Sequence, residues 1–312
     1  MNLLPPLSPK YIDPHVYPSG VAYQDSQYIP VSEAKISVLD YGLLHSDATY
    51  DTVHVWDGAF FRLDLHLDRF FANLARLRMQ IPFDRNEVRQ ILHNCVALSG
   101  HRYAYVEMLC TRGGSPSFSR DPRDAINRFA AFAVPFGSVA NDEQLKRGLH
   151  IHVSDIMRIP PGSVDPAVKN YHWLDLVAGL YDAYDNGAET ALLKDASGNV
   201  AEGPGFNVFA LCDGLLVTPN SGVLSGITRR TVFEICQALG IPAAASPLST
   251  ETLRQASEIF ITSTAGGIMP VTQLDSRPVG NGQIGVVTER IRSTYWAWHG
   301  DPDYSDAVAY GN

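Results

Sequence analysis

The chain holds five lysines, and one of them, Lys169, stands in Asp165-Pro-Ala-Val-Lys169-Asn170, upstream of a carboxylate in the glycine-rich run Glu202-Gly-Pro-Gly-Phe-Asn207. A hairpin-like stretch is expected between the two. A reactive amine followed by an acid in a tight turn suits pyridoxal 5'-phosphate, whose aldehyde takes an amine as an imine and whose ring accepts electrons when an acid keeps the pyridine nitrogen protonated. The other lysines are poorer candidates: Lys10 lies in a Pro-rich start, Lys35 in a polar lead-in, Lys146 in a charged connector and Lys194 at an Asp-Ala-Ser-Gly turn. Pro161 and Pro166 stiffen the approach to Lys169, and the apolar segment that follows, 171–180, can keep the amine partly dry. Desolvation lowers a lysine pKa and frees the amine for attack.

The same cofactor needs a cup for its phosphate. Ser225-Gly226-Ile227-Thr228 opens an expected helix, so the amides of Ile227 and Thr228 would point along the helix dipole at an anion. Arg69, in His66-Leu-Asp-Arg69, falls away from the apolar stripe of its helix and can grip a phosphate at two points. Ser263-Thr264-Ala265-Gly266-Gly267 follows a strand and offers two hydroxyls and several amides. Taken singly each has a plainer reading: a solvated lysine, a loop glutamate, an N-cap, a surface arginine, a connecting turn. Their order along one chain argues for a common purpose.

In that order the chain resembles the fold-type IV pyridoxal phosphate enzymes, the group of branched-chain and D-amino-acid transaminases, over about residues 20 to 300. The resemblance implies that Lys169 is the Schiff-base lysine, Glu202 the partner of the pyridine nitrogen, and Arg69, Ile227, Thr228 and Ser263 or Thr264 the phosphate ligands. His45-Ser-Asp47, Tyr50, Val55-Trp-Asp-Gly58, Tyr105-Val-Glu107 and Asp165 to Asn170 are similar to the (R)-selective amine transaminases. That likeness implies transfer of an amino group between an (R)-configured primary amine and a keto acid such as pyruvate, or an aldehyde, with the freed lysine moving the proton. It also implies that Tyr50, Thr52, Tyr105, Glu107, Trp173 and Ala265 line the substrate pockets, with His45 among the substrate-binding positions.

One departure concerns the acceptor. Related amine transaminases carry a mobile arginine after the Thr-Arg-Gly turn, where counting from Thr111-Arg-Gly113 gives Phe118; Arg120 or Arg123 is left to grip the carboxylate. Alternatives are a D-amino-acid or branched-chain transaminase, a lyase of the same fold, and a non-catalytic small-molecule binding module. The resemblance further implies a homodimer with the active site near the interface and loop residues such as His54 near the partner's pocket. A hydrolytic triad in His45-Ser46-Asp47 is excluded if the segment is a strand, since consecutive side chains then point to opposite faces.

These residues need a frame, and the patterning gives an α+β one. A smaller N-terminal α/β domain is expected over 1–136, a polar linker over 137–148, and a larger cofactor-binding domain over 149–312. The resemblance gives that second domain a β-barrel-like core flanked by helices. In the first domain, strands are expected at 35–39, 49–56, 60–63, 103–111 and 129–135. Two helices join them, 66–79 with Leu67, Phe70, Phe71, Leu74 and Leu77 on one side and Asn73 on another, and 84–98 stopped by Gly100. In the second, strands are expected at 150–154, 190–193, 206–211, 215–218 and 259–262, with a hairpin turn at Asp213-Gly214, and helices at 226–239, 250–256 and 286–299.

Composition narrows the partners. With 312 residues and a formal net charge of −9, the chain would repel nucleic acid and anionic membranes. Cys95, Cys110, Cys212 and Cys236 are widely spaced, which argues for free buried thiols rather than a zinc site or a disulfide scaffold, and no metal is expected. No apolar run is long enough to span a bilayer, so a cytoplasmic location is expected.

Overall fold

The computed structural model describes residues 19–310. Lys10 lies outside the described residues. They form two compact units, one of 19–137 with 168–171 and 299–310, the other of 138–167 with 172–298. The expected α+β fold is the one that forms.

The first unit carries β1 (Val21–Gln24), β2 (Gln27–Pro30), α1 (Tyr41–His45), β3 (Ala48–Trp56), β4 (Ala59–Phe61), α2 (Leu63–Arg76), α3 (Arg85–Ser99), β5 (Ala104–Gly114) and β6 (Ile126–Pro135). Helix α2 begins at Leu63, earlier than expected, and Leu63, Leu67, Phe70 and Leu74 recur on its buried stripe. Each such side chain contributes about 1.5–3 kcal/mol when fully buried. Asp84 and Glu87 close a capping box on α3, and Gly100 ends it at φ +70°, a left-handed conformation that glycine adopts without strain.

Three local expectations fail here. Residues 35–39 form no strand: the side chain of Gln24 bonds both the N–H and the C=O of Lys35, and Leu39 N–H donates to Ser37 Oγ, so the backbone turns. His45 ends the short helix α1 instead of lying on a strand, with Ser46 in the left-handed region. His54 is no loop residue; it is buried within β3, its Nε2 2.7 Å from His299 Nε2 and its ring stacked on Phe61.

The second unit carries α4 (Asp142–Arg147), β7 (Leu149–Met157), α5 (Leu174–Asp185), β8 (Thr190–Lys194), β9 (Asn207–Cys212), β10 (Leu215–Thr218), α6 (Ile227–Leu239), β11 (Ala243–Ala245), α7 (Thr250–Arg254), β12 (Glu258–Ser263), β13 (Gly267–Leu274), β14 (Arg277–Pro278) and α8 (Val286–Ala297). Returning to the first unit, the chain adds β15 (Ser305–Ala307) beside β4. The polar stretch 137–148 thus holds a short helix, α4, closed by a capping box of Asn141 and Gln144. The stretch expected to be hairpin-like instead contains α5, whose Leu176, Gly179 and Ala183 recur at i, i+3 and i+7 on its buried side.

The first sheet runs β15-β4-β3-β5-β6-β1-β2. At its centre β3 pairs antiparallel with β5 from Ala48 opposite Thr111 to Val55 opposite Ala104. The second sheet, ordered β11-β10-β9-β12-β13-β7-β8, curls into a half-barrel that mixes antiparallel pairs with the parallel pairs β13–β7, β7–β8 and β10–β11. Asp213 and Gly214, both at positive φ, turn β9 into β10 as expected. Val208, Ala210, Ile259, Ile261, Met269 and Val271 fill its core from alternate positions of three strands. No helix among the described residues is long and apolar enough to cross a membrane.

Candidate active site

Strand β3 is buried on both faces, yet it carries Thr49, Asp51, Thr52 and His54. Buried polar groups without partners are costly, so each must be answered locally. The answers make up half of the candidate site. Residues 168–171 run beside the start of β3, where Thr49 bridges to Asn170 and Thr49 Oγ1 donates to the carbonyl of Lys169 at 2.7 Å. Lys169 is half-buried, with Nζ 4.3 Å from the centre of the Tyr50 ring, a cation–π contact. Of the other described lysines, Lys35 and Lys146 are exposed and Lys194 pairs with Asp155.

Tyr50 in turn stacks on Tyr171 at 4.3 Å. The Tyr171 hydroxyl donates to Glu107 Oε1 at 2.8 Å, and Tyr105 and Thr52 donate to Oε2 at 2.9 and 3.3 Å. Burial pushes the Glu107 carboxyl above the ordinary glutamate range, only partly opposed by the hydroxyls of Tyr171, Tyr105 and Thr52 and by the charge of Lys169. Burial, reinforced by Glu107, also raises the Tyr171 and Tyr105 phenols, so they stay protonated as donors. Four of the expected substrate residues, Tyr50, Thr52, Tyr105 and Glu107, therefore form one network with Lys169.

The pleat sends Asp51 to the opposite face of β3 from Tyr50 and Thr52. There its carboxylate meets helix α2: Arg69 donates from Nε to Oδ2 at 2.6 Å and from Nη2 to Oδ1 at 2.9 Å, and His66 Nδ1 lies 2.7 Å from Oδ1. Burial alone would raise the Asp51 carboxyl, but the charge of Arg69 and the hydrogen bonds from His66 and Arg69 outweigh it and hold it well below the usual range. Arg69 is thus partly enclosed rather than on an outer face, and Asn73, expected outside, is buried. His45 and Arg120 are exposed and line a cavity of about 490 Å³ with Tyr41 and Phe118, a lining that includes neither Tyr50 nor Glu107. Arg123 pairs with Asp121 on the surface.

The second unit holds the remaining candidates. Glu202 is buried and anchored by Arg158 Nε at 3.1 Å, by the Leu224 amide at 2.9 Å, and more weakly by Asn207 Nδ2 at 3.5 Å. Arg158 also donates to Asp175 at 2.6 Å, so one guanidinium joins two acids. Ile227 and Thr228 open α6, and Gly226 before them admits no side chain: a Cβ there would sit 2.2 Å from Asn207 Oδ1. Among the described residues no side chain caps α6, so its first amides keep the anion-binding capacity of a helix start. Ser263, Thr264 and Ala265 form the β12–β13 turn; Ser263 donates to the Gly205 carbonyl at 2.9 Å and accepts from the Ala265 amide at 3.2 Å. Trp173 is the N-cap residue of α5, near Gly205.

Sequence reading missed Asp51, His66, Arg158, Tyr171 and Asp175. Two carried a signal: His66 and Arg69 share a helix face at i, i+3, and Tyr171 follows the lysine motif directly. Arg158, Asp175 and Glu202 are joined only by the fold.

Taken unit by unit, the groups suit a phosphorylated pyridine aldehyde: the second unit has a buried acid fixed by a guanidinium and an uncapped helix start, and the first has a half-buried amine. The comparisons with known proteins agree. The profile of amino-transferase class IV matches residues 48–274. A putative branched-chain-amino-acid aminotransferase of Methanocaldococcus jannaschii is 30% identical over 276 residues, covering 88% of this chain and 94% of that protein. The branched-chain-amino-acid aminotransferase of Pseudomonas aeruginosa is 28% identical, covering 89% and 92%. Among solved structures, the T.th. branched-chain amino acid aminotransferase with pyridoxamine 5'-phosphate superposes with a TM-score of 0.87 at 28% identity, covering 94% of this chain and all of that one. The Escherichia coli enzyme gives 0.89 at 25% identity, covering 93% and all. The chain belongs to amino-transferase class IV.

Proposed function

We propose that this class IV aminotransferase takes its amino group from an (R)-configured primary amine without a carboxylate and gives it to a keto acid such as pyruvate. The observation that carries the reading is the wall beside Lys169: three tyrosines, a threonine and a buried glutamate held by neutral hydroxyls, with no guanidinium on that glutamate among the described residues. A donor carboxylate lying against this wall would face the acid of Glu107 with no guanidinium there to answer it, whereas an aryl or alkyl amine meets aromatic faces; the acceptor's carboxylate is left to Arg120.

When bound, pyridoxal 5'-phosphate supplies the electron sink for breaking the C–H bond of the amine-bearing carbon. Lys169 would hold the cofactor through its amine, and its freed Nζ would serve as the acid and base that moves the donor's proton. Glu202, kept in place by Arg158, would partner the pyridine nitrogen. Arg69, the amides of Ile227 and Thr228, and the hydroxyls of Ser263 and Thr264 hold the phosphate. Tyr50, Thr52, Tyr105, Glu107, Trp173 and Ala265 shape the donor pockets. Arg120, beside His45 in their shared cavity, is the side chain assigned to the acceptor's carboxylate. The working assembly in this reading is a homodimer.

A branched-chain amino-acid donor is the second reading, and the names of the relatives favour it. Turnover of (R)- and (S)-1-phenylethylamine with pyruvate and added pyridoxal phosphate, alongside D-alanine and L-leucine, separates the two. Formation of acetophenone from the (R)-amine alone is expected. Activity confined to L-leucine or D-alanine would refute the amine reading.

A further inference from the structure

Thr262, on β12, is 2% exposed, and its Oγ1 has no hydrogen-bond partner among the described residues. Buried polar atoms are nearly always paired, so an orphaned hydroxyl points to a ligand. Its place in the second unit indicates which one. Phe260 and Phe209 oppose each other across β12 and β9 and stack at 5.1 Å, and Phe209 meets Phe233 of α6 edge-on at 5.7 Å. This face of the sheet therefore lies under α6. Two residues along the same face stand Thr262 and its cross-strand partner Asn207, with Cβ atoms about 4.5–5.5 Å apart. Asn207 packs against Gly226, the N-cap of α6, and Asn207 Nδ2 donates to the Leu224 carbonyl at 3.0 Å. Phe260 thus lies under the middle of the helix and Thr262 under its start, where the first amides can receive an anion.

We propose that Thr262 is a further ligand of the cofactor's phosphate, its hydroxyl donating to the anion from beneath the amides of Ile227 and Thr228. The proposal rests on the reading that the start of α6 holds that phosphate. It predicts effects of opposite sign from one substitution. Thr262→Val exchanges a hydroxyl for a methyl of similar size. In the cofactor-free protein it removes an unpaired buried polar atom, so stability holds or rises; in the loaded protein it removes a donor to a charged group, so affinity falls. A hydroxyl that served the fold alone would show the reverse, a loss of stability with affinity untouched.

The test uses the full-length protein stripped of cofactor. Urea unfolding gives stability, and absorbance titration gives dissociation constants for pyridoxal phosphate and for pyridoxal, which lacks the phosphate. Thr262→Val is expected to unfold at the parent's urea midpoint or above it, to bind pyridoxal phosphate about tenfold more weakly, as for one hydrogen bond to a charged group, and to bind pyridoxal unchanged. Thr262→Ser, which keeps the hydroxyl, should restore most of the lost affinity. Parent affinity in Thr262→Val overturns the proposal, as do equal losses for both ligands, a lowered urea midpoint, or a serine variant as weak as the valine one. Ile227→Pro tests the underlying reading: it deletes one amide at the first helical position, where proline is tolerated, after a Gly226 already in the extended conformation that proline requires. If that variant binds pyridoxal phosphate like the parent, the phosphate reading of α6 falls and the proposal with it; if it binds weakly while Thr262→Val does not, the proposal alone falls. Should Thr262→Val fail to fold, Thr262→Ala carries the affinity test with the same expected loss, confined to the phosphorylated ligand.

Discussion

Two buried glutamates, one in each unit, are held by opposite means. Glu107, on β5, is surrounded by hydroxyls of Tyr171, Tyr105 and Thr52. Glu202, in the turn before β9, is clamped by a guanidinium and an amide. Neutral donors leave desolvation in command, so the Glu107 carboxyl is raised, whereas Glu202 is paired with a cation. In the proposed reading the same residue type serves two tasks, Glu107 tuning which donor is tolerated and Glu202 partnering a ring nitrogen.

The sharpest way to break this comparison is to remove the amine that the proposed mechanism makes central. Lys169→Ala is expected to fold and to lose turnover by roughly 10³-fold or more, as for a lost acid–base group, when acetophenone release is followed. Activity within tenfold of the parent would end the assignment of Lys169. Next in size is the clamp. Arg158→Met strands Glu202 and Asp175 together in a buried site, so urea unfolding should record a loss of about 3 kcal/mol or more. Glu107→Gln, at a carboxyl whose hydrogen-bond partners are all neutral hydroxyls, should cost less than about 1.5 kcal/mol at neutral pH. Equal costs would erase the distinction between the two acids.

Acidity sharpens it further. Because the folded carboxyl of Glu107 sits above its unfolded value, the unfolded chain ionises first as pH rises from below the ordinary glutamate range. Over that window Glu107 costs the folded protein stability, and the stability of Glu107→Gln relative to the parent should rise with pH. A flat or falling difference would show that Glu107 is not strained by burial. The smallest effect concerns the thiols. Burial pushes Cys110 to about 12 and Cys236 to about 11 and raises Cys95 and Cys212 as well, so access decides, and a mild alkylating reagent should modify the half-buried Cys212 first, as counted by mass spectrometry.

What the sequence disclosed follows the range of the interactions. Helices α2, α3 and α6 were legible because their apolar stripes and Gly100 act within a few residues. The hairpin at Asp213-Gly214 was legible for the same reason. Lys169, Glu202 and the α6 start stood out as local motifs. The grip of Asp51 on Arg69 spans 18 positions and that of Arg158 on Glu202 spans 44, and no periodicity announces a carboxylate that a distant guanidinium must answer. His54 was misplaced because an imidazole reads as polar until its buried partner, His299, is known. Residues 35–39 misled in the opposite sense: alternating Ile36, Val38 and their polar neighbours suggest a strand, but all are exposed and bend around Gln24.

The most direct test of the claim that Glu107 governs donor charge is the ratio of kcat/KM for L-leucine to that for (R)-1-phenylethylamine, measured with pyruvate at neutral pH in the parent and in Glu107→Gln. Replacing this carboxyl with a neutral amide should raise that ratio by about tenfold, the equivalent of ~1.4 kcal/mol. A ratio that stays constant or falls would contradict the account and return Glu107 to a purely structural role.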